Sequence, residues 1–275
     1  MNILQEIARR TKARIDEQKK TVPPDEMIEM ARSIAQGSDS PFKMARSADR
    51  RRYGFPFEKA LRADDIAFIC EIKKASPSKG VIDADFPYIN IAGEYEAAGA
   101  AAISVLTEPF YFQGDNRFLR EIAESASVPL LRKDFTVDSY MIYEAKILGA
   151  SAVLLICALL DEETLAEYIG IAHELGLSAL VETRDESEIK AALSAGARII
   201  GVNNRDLRTF EVDISRSVRL RQIVPREVIF VSESGISSPD DITRLRENGT
   251  DAVLIGESIM RSADKKAAIA WLRGK

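Results

Sequence analysis

The sequence contains very few of the residues that hold metals or form disulfides. Among its 275 residues there are two cysteines and one histidine, whereas a structural zinc ion usually needs about four such ligands. Cys70 and Cys157 lie inside apolar runs and are expected to be reduced core residues. His173 lies in a helical pattern and is expected to be a polar helix residue. Neither a metal site nor a histidine-based catalytic triad is therefore expected.

The sequence also lacks a long apolar run and a large net charge. No stretch approaches the roughly 20 apolar residues that cross a bilayer, and residues 1–10 lack the pattern of a signal peptide. The 38 basic and 43 acidic residues give a formal net charge of -5, which does not favour nucleic acid or an anionic membrane as a partner. We expect a cytoplasmic protein with neither partner. Any anion that it binds must be held by a local basic cluster.

Eight short apolar runs alternate with amphipathic helical stretches from residue 66 onward. The runs lie at 67–72, 101–106, 128–131, 152–156, 178–182, 199–202, 228–231 and 252–255. Strands joined by single helices must run parallel, and eight such units close into an α/β fold of the (β/α)8 TIM barrel type. An open doubly wound sheet is the alternative, although no G-x-G-x-x-G follows the first strand.

The residues up to about position 60 stand outside this repeat. They predict an amphipathic helix at 3–19, a break at 21–25 and a second helix at 25–36 that ends at Gly37. We expect residues 1–60 to pack on the barrel as an extension, so that residues 1–275 form one domain. Four arginines within residues 46–55 indicate a solvated charge run or, as the less favoured interpretation, a basic loop near an anionic ligand.

Charged side chains fall at the carboxyl ends of several predicted strands. Side chains of a barrel strand alternate between the interior and the helix layer, and catalytic groups cluster at these strand ends. The apolar residues at 68, 70 and 72 belong under the helices, so Glu71 and Lys73 are expected to point inward at the mouth. The same parity selects further residues on later strands: Lys133, Glu182, Asn203, Arg205 and Glu233. Buried charges are costly unless paired, which favours an active site over the alternative, a set of rim ion pairs.

Two glycine-bearing turns predict a phosphate site. The segments SESGI at 232–236 and IGES at 255–258 follow the seventh and eighth strands. They place Gly235 and Gly256 where backbone amides can approach an anion, with a short helix starting near Glu257. The sequence therefore predicts a phosphate-binding barrel whose partner is a phosphorylated small molecule.

Seven segments, taken in order on successive strand ends, carry a specific family resemblance. They are CEIKKASPSKG at 70–80, AISVLTEPFYFQG at 102–114, LRKDF at 131–135, ALVET at 179–183, IGVNNRDLRTFEVD at 200–213, VSESGI at 231–236 and LIGESIMR at 254–261. Together they closely resemble the indole-3-glycerol phosphate synthases of tryptophan biosynthesis. The resemblance covers the whole chain, including the N-terminal helix.

The resemblance implies a lyase that uses no cofactor. Its substrate would be 1-(2-carboxyphenylamino)-1-deoxyribulose 5-phosphate, which closes its ring and loses carbon dioxide and water to give indole-3-glycerol phosphate. By the family pattern Lys133 polarises the ribulose carbonyl, and Glu182 and Glu71 act as acid and base in the dehydration. Lys73 would take part in proton transfer or in contact with the phosphate; the resemblance leaves both roles open, and with them the division of acid work between Lys73 and Lys133.

Further matched positions are expected to bind and orient the substrate. Asn203 and Arg205 would orient the substrate and the carboxylates, Glu233 and Ser234 would contact it, and Phe135 and Leu154 would form an apolar wall. The phosphate would lie near Ser76, Gly235, Gly256 and Glu257. Because a carboxylate repels phosphate, only the backbone amide of Glu257 is expected to help.

Two other functions remain open at this point. A Schiff-base aldolase would use Lys133 as a nucleophile. A non-catalytic phosphosugar-binding barrel would keep the two phosphate glycines but would not need the inward Glu71, Lys133 and Glu182. The acidic and polar helix faces favour a monomer, and the position of Lys275 soon after the last helix favours a monofunctional enzyme.

Overall fold

The computed structural model describes residues 3–37, 54–206 and 211–274. Eight parallel strands form a closed barrel in which strands consecutive in the chain are neighbours and the first strand pairs with both the second and the last. The barrel strands are β1 (Ala67–Ile72), β4 (Ala102–Leu106), β5 (Leu130–Lys133), β6 (Ala152–Ile156), β7 (Ser178–Thr183), β8 (Ile199–Asn203), β9 (Ile229–Glu233) and β10 (Ala252–Ile255). The predicted (β/α)8 barrel is thereby confirmed, and the doubly wound alternative is wrong.

Helices connect the strands and surround the barrel. They are α1 (Ile3–Thr21), α2 (Pro24–Ala35), α3 (Pro56–Leu61), α4 (Tyr88–Ala97), α5 (Asn116–Ser125), α6 (Tyr140–Ile147), α7 (Glu162–Glu174), α8 (Glu186–Ser194), α9 (Ser215–Leu220), α10 (Pro239–Glu247), α11 (Glu257–Met260) and α12 (Lys265–Leu272). Short 3-10 helices lie at Cys157–Leu159 and Arg221–Ile223, and a small antiparallel hairpin, β2 (Ala75–Ser76) with β3 (Gly80–Val81), follows β1. None of the described helices is long and apolar enough to cross a membrane.

Strand parity separates two apolar cores. Ala67 and Ile69 of β1 pack with the inward residues of the other strands inside the barrel. Phe68, Cys70 and Ile72 belong to a larger cluster between the strands and the helices. The alternation predicted for the first strand is therefore present, because successive side chains of a strand point to opposite faces.

Local signals fix where the helices begin and end. The carboxylates of Asp161 and Asp185 accept backbone amide hydrogen bonds from the third residues of α7 and α8, and Ser238 forms a reciprocal capping box with Asp241 of α10. Five of the helices that lead into a barrel strand end at glycines with φ between 68° and 87°, a conformation that a side chain disfavours. These glycines are Gly99, Gly149, Gly176, Gly196 and Gly249.

The third predicted strand lies further along the chain than expected. The prediction was 128–131, whereas β5 runs from Leu130 to Lys133. Pro129 precedes it and has no amide hydrogen for a strand ladder, although its carbonyl accepts a hydrogen bond from the Ile103 amide at 3.1 Å. The later end brings Lys133 into the strand itself.

The N-terminal helices pack against the barrel, and α1 reaches its mouth. The buried side chains of α1 are Leu4, Ile7, Thr11 and Ile15, which share one helical face. Arg14 of α1 donates a hydrogen bond to the Asp134 carboxylate at 2.9 Å, immediately after β5. Of the arginine-rich segment 46–55, all four arginines lie outside the described residues.

Helix α3 closes the amino-terminal end of the barrel. Phe57 and Leu61 are completely or almost completely buried and join the interior core. Glu58 accepts hydrogen bonds from Arg198, before β8, at 2.8 Å and from Ser178 of β7 at 3.4 Å. The side chains of α3 fill this end, and the cavity in the described part of the chain opens at the carboxyl ends of the strands.

We expect Phe57→Ala to destabilise the protein by about 3–5 kcal/mol, because it leaves a cavity in the plug. Urea unfolding measures this change. Ile89→Ala on α4 is the control, since Ile89 is 46% exposed, and it should change the free energy of unfolding by less than about 0.5 kcal/mol. Equal effects of the two substitutions would contradict the role of Phe57 as a plug.

Candidate active site

A cavity of about 470 Å³ opens at the carboxyl ends of the strands. Every site residue predicted from the sequence lines this cavity, and so does Leu154. The residues are Glu71, Lys73, Ser76, Lys133, Phe135, Glu182, Asn203, Arg205, Glu233, Ser234, Gly235, Gly256 and Glu257. They come from β1, β2, β5, β7, β8, β9, α11 and the loops after the strands, so closure of the barrel is what brings them together.

A buried group of charges lines the cavity. We call it the mouth cluster, and its members are Lys133, Glu71, Glu182 and Glu233. The Lys133 ammonium lies 3.6 Å from Glu182 Oε2 and 3.6 Å from Glu233 Oε2. All three carboxylate residues are at most 5% exposed. An ammonium among carboxylates offsets the cost of removing each charge from water.

Lys133 carries a positive charge at every physiological pH. Burial alone would lower the pKa of Lys133, but the three carboxylates of the mouth cluster outweigh that effect and raise it above the usual lysine value. A charged ammonium donates hydrogen bonds and protons but is not a nucleophile. This state disfavours the Schiff-base alternative.

Glu233 is the carboxyl group of the mouth cluster that most readily holds a proton. Burial raises the pKa of Glu233 to about 8, with the charges of Glu182 and Glu71 adding to the effect and Lys133 opposing it. Its Oε1 atom is buried and makes no hydrogen bond to the described part of the chain. Oε1 lies against Gly201 of the neighbouring strand β8, where an added Cβ atom would overlap it.

Glu71 and Lys73 form a close ion pair beside the predicted phosphate turn. Lys73 Nζ donates a hydrogen bond of 2.6 Å to Glu71 Oε1. Burial alone would raise the pKa of Glu71, but Lys73 and Lys133 reverse the effect and hold it below the usual value. A Cβ atom at Gly256 would come within 2.5 Å of Glu71 Oε1 and 3.1 Å of Lys73 Nζ. Because Gly256 has no side chain, it leaves room for the Glu71–Lys73 ion pair.

An apolar wall covers the side of the cavity formed by β4, β5, β6 and α1. The rings of Phe112 and Phe135 lie 6.0 Å apart, and Leu154 of the interior core also lines the cavity. The first two turns of α1 complete this side with Ile3, Leu4 and Ile7. Such a surface suits a planar aromatic ring.

The opposite side of the cavity, near β8, β9 and β10, contains a backbone turn with positive φ values. Ser234 and Gly235 have φ values of 67° and 80°, and a Cβ atom at Gly235 would overlap Val212. The completely buried Asn204 supports this turn by donating a hydrogen bond from Nδ2 to the Ser234 carbonyl at 3.1 Å. The turn is therefore held in a conformation that is unusual for serine.

Several cavity or supporting residues were not predicted from the sequence. Arg261 lies beyond α11, Phe112 lies in the loop after β4, and the cavity side of α1 belongs to the extension. Asn204 could have been predicted from strand parity, because a residue next to the inward Asn203 must point toward the helix layer. There its Oδ1 atom accepts a hydrogen bond from the Ser217 hydroxyl group. The other three depend on packing between distant segments, which strand parity does not report.

The fold and the cavity define a class of protein: a (β/α)8 barrel enzyme with an acid–base cluster at the carboxyl ends of its strands. Within the described ranges, no group of three or more His, Cys, Asp or Glu residues could hold a metal ion.

Two solved structures share the fold at low identity. They are 3-hexulose-6-phosphate synthase from Salmonella typhimurium (TM-score 0.63, 15% identity, 76% of this chain and 97% of that chain) and a mutant tryptophan synthase alpha-subunit from Pyrococcus furiosus (TM-score 0.59, 17% identity, 77% and 99%).

A family model described as indole-3-glycerol phosphate synthase matches residues 4–272. Relatives of that name from Ruminiclostridium cellulolyticum and Lachnoclostridium phytofermentans are 55% and 48% identical, over 272 and 273 residues. The first alignment covers 99% of both chains and the second 98% of both. The chain belongs to the indole-3-glycerol phosphate synthase family, the decarboxylating lyases of tryptophan biosynthesis. The family and the activity expected from the sequence segments are thereby confirmed.

Glu233 gives the folded protein a distinctive pH dependence. Its folded pKa of about 8 lies above the ordinary value of 4.5, so the folded protein retains a proton that the unfolded chain has lost. Stability from this group therefore falls as pH rises between these values. We expect urea unfolding from about pH 5 to about pH 8 to show wild-type stability falling relative to Glu233→Gln.

The control for this series is Glu186→Gln on the exposed face of α8, where Glu186 pairs with Lys190. It should follow the wild-type pH profile. If the wild-type protein and Glu233→Gln instead show parallel profiles, Glu233 does not hold the extra proton.

Gly201 of β8 makes room for the mouth cluster. A Cβ atom there would overlap Glu233 Oε1 and lie 3.1 Å from Leu180 Cδ1. We expect Gly201→Ala to lower kcat about 100-fold, because a catalytic constellation displaced by about 1 Å loses activity on that scale. The measurement is steady-state turnover of the family's substrate.

The matched control is Gly170→Ala in α7, where an added Cβ atom meets nothing within 4 Å. It should leave kcat unchanged and stabilise the helix by about 0.5–1 kcal/mol. Normal turnover by a well-folded Gly201→Ala protein would show that the position of Glu233 is not critical.

Proposed function

We propose that this cavity binds 1-(2-carboxyphenylamino)-1-deoxyribulose 5-phosphate and converts it to indole-3-glycerol phosphate, carbon dioxide and water. The observation that carries the proposal is the buried Lys133 ammonium, 3.6 Å from carboxylates of both β7 and β9. It lies between an apolar wall and a turn suited to an anion. This order matches a substrate with an aromatic acid at one end and a phosphate at the other.

Binding places the two ends of the substrate on opposite sides of the mouth cluster. The carboxyphenyl ring packs against Phe112, Phe135 and Leu154, where apolar surface leaves water. The phosphate lies at the turn of Ser234 and Gly235, close to Arg205. The ribulose carbonyl then falls near Lys133, and Asn203 at the end of β8 orients the hydroxyl groups.

Lys133 polarises the carbonyl during ring closure. Its ammonium donates a hydrogen bond and then a proton to the carbonyl oxygen, so the carbonyl carbon accepts electrons from the ring carbon that bears the carboxylate. A carbon–carbon bond forms, and the carbonyl oxygen becomes a hydroxyl group. The bond to the carboxylate then breaks, carbon dioxide leaves, and its electron pair restores the aromatic ring. The surrounding carboxylates keep the lysine charged before the reaction.

Loss of water needs an acid that protonates the departing hydroxyl group. It also needs a base that removes a proton from the adjacent ring carbon, which is bonded to nitrogen. Glu182 and Glu71 supply the acid–base pair. The 2.6 Å hydrogen bond between Lys73 and Glu71 favours a proton-transfer role for Lys73 over direct contact with the phosphate. Protons lost and gained balance within the cluster, so no cofactor is required.

The cluster argues against a binding protein. Three buried carboxylates and a buried ammonium are costly to place inside a barrel, and phosphate recognition alone requires only the two glycine turns and nearby cations. All residues assigned above come from one chain and one barrel domain, with α1 as part of the cavity. This supports a monomeric enzyme, which we place in the cytoplasm with its pathway.

Replacing Lys133 tests the proposed reaction. With purified protein and the carboxyphenylamino substrate, indole fluorescence should rise, and Lys133→Met should lower kcat by about 10²- to 10⁴-fold because the carbonyl loses its proton donor. Trp271 is the only tryptophan and contributes the same background to both proteins. Lys190→Met, at an exposed pair with Glu186, should retain wild-type turnover.

Product binding by Lys133→Met shows whether the variant is folded. Undiminished turnover by this variant would remove Lys133 from the mechanism. Borohydride added with substrate should trap no covalent adduct, whereas an adduct at Lys133 would establish the aldolase alternative. Binding without turnover in the wild-type protein would leave only the phosphosugar-binding barrel.

A further inference from the structure

The side chain of Glu257 lies in a cluster of cations at the phosphate side of the cavity. Its Oε1 atom is 3.5 Å from Lys79 Nζ and 3.4 Å from Arg261 Nε, and its Oε2 atom is 3.9 Å from Arg205 Nη2. The three cations come from separate parts of the fold: the β2–β3 hairpin, the end of α11 and the loop after β8. One carboxylate thus stands where three cationic side chains converge.

This arrangement has the geometry that a phosphate ester would use. A phosphate group presents several oxygen acceptors and attracts converging lysine and arginine side chains. Arg205, Glu257 and Arg261 all line the cavity, as does Gly256. The carboxylate and an incoming phosphate therefore require the same partners, and they repel each other.

The contacts of Glu257 are suited to exchange. Its side chain is 28% exposed, and those of Lys79 and Arg261 are 46% and 48% exposed. Ion pairs with this much solvent contribute little to stability, so they can break when a stronger anion arrives. By contrast, the pairs of Lys133 in the mouth cluster are buried and are not released in this way.

We propose that the Glu257 side chain is a built-in counter-ion that competes with the phosphate of substrate and product for Lys79, Arg205 and Arg261. It weakens the binding of phosphate-ended ligands and so speeds product departure. This inference rests on the proposed function, because it takes the β8–β10 side of the cavity as the phosphate side. The negative charge of Glu257 opposes binding even though the residue lies in the site.

The test measures the affinity of Glu257→Gln for inorganic phosphate, for indole-3-glycerol phosphate and for the same indole glycerol without its phosphate. Titration calorimetry gives the dissociation constants. We expect Glu257→Gln to bind the two phosphate-bearing ligands about tenfold more tightly, as expected when a like charge is removed from a binding site. Affinity for the ligand without phosphate should not change, and a merely structural role of Glu257 would not produce this difference.

A matched control and a second variant complete the experiment. Glu174→Gln removes a surface carboxylate that contacts Arg32 at 3.1 Å outside the cavity, and should leave all three affinities unchanged. Glu257→Ser also removes the charge but keeps a small hydroxyl group. It should strengthen phosphate binding like Glu257→Gln, and indole-3-glycerol phosphate should dissociate more slowly from both variants than from the wild-type protein.

The outcomes separate this inference from the proposed function. If the wild-type enzyme turns over its substrate but Glu257→Gln and Glu257→Ser bind phosphate no more tightly, the counter-ion role is wrong and the catalytic assignment stands. Weaker phosphate binding by both variants would mean that the carboxylate assists binding, which also overturns the inference. If the wild-type protein neither turns over the substrate nor binds the phosphorylated product, both proposals fail.

Discussion

The pairing of a buried ammonium with buried carboxylates is the interaction on which the mouth of this barrel depends. Lys133 extends from β5, and its partners Glu182 and Glu233 extend from β7 and β9. Without the ammonium, the neighbouring carboxylates of this low-dielectric cavity would repel each other more strongly, and protonated forms would be favoured further. Because each member lies on a different strand, only the closed barrel assembles the cluster. The charge balance of the site therefore depends on closure of the barrel.

Much of this arrangement could be predicted because strand geometry is simple. A side chain at the carboxyl end of a barrel strand points either inward or toward the helices, so Glu71, Lys133 and Glu182 could be placed from parity alone. Strand ends were less certain, since Pro129 shifts β5 along the chain. The cavity side of α1 and the position of Arg261 could not be predicted, because they arise from contacts between segments far apart in sequence.

The residues that flank Lys133 explain how the N-terminal helix becomes part of the site. Arg132 donates a hydrogen bond to Glu144 of α6 at 2.5 Å, and the Asp134 carboxylate accepts from Thr107 at 2.8 Å and from Arg14 of α1 at 2.9 Å. All of these groups except Arg14 are nearly or fully buried, so loss of one would leave a buried charge without a partner. The same short segment thus carries the proposed acid and fastens the helix that completes the apolar wall.

The two sides of the cavity contribute differently to ligand binding and to catalysis. The reaction changes the aromatic end of the substrate, where a carboxylate leaves and a ring closes, whereas the phosphate is identical in substrate, transition state and product. Interactions with the phosphate therefore bind all three states alike and cannot lower the barrier of the chemical step. Excess affinity there would only retain product. Selective stabilisation must come from Lys133 and its carboxylates, where charge moves, and a phosphate side with compensated charge is consistent with this division.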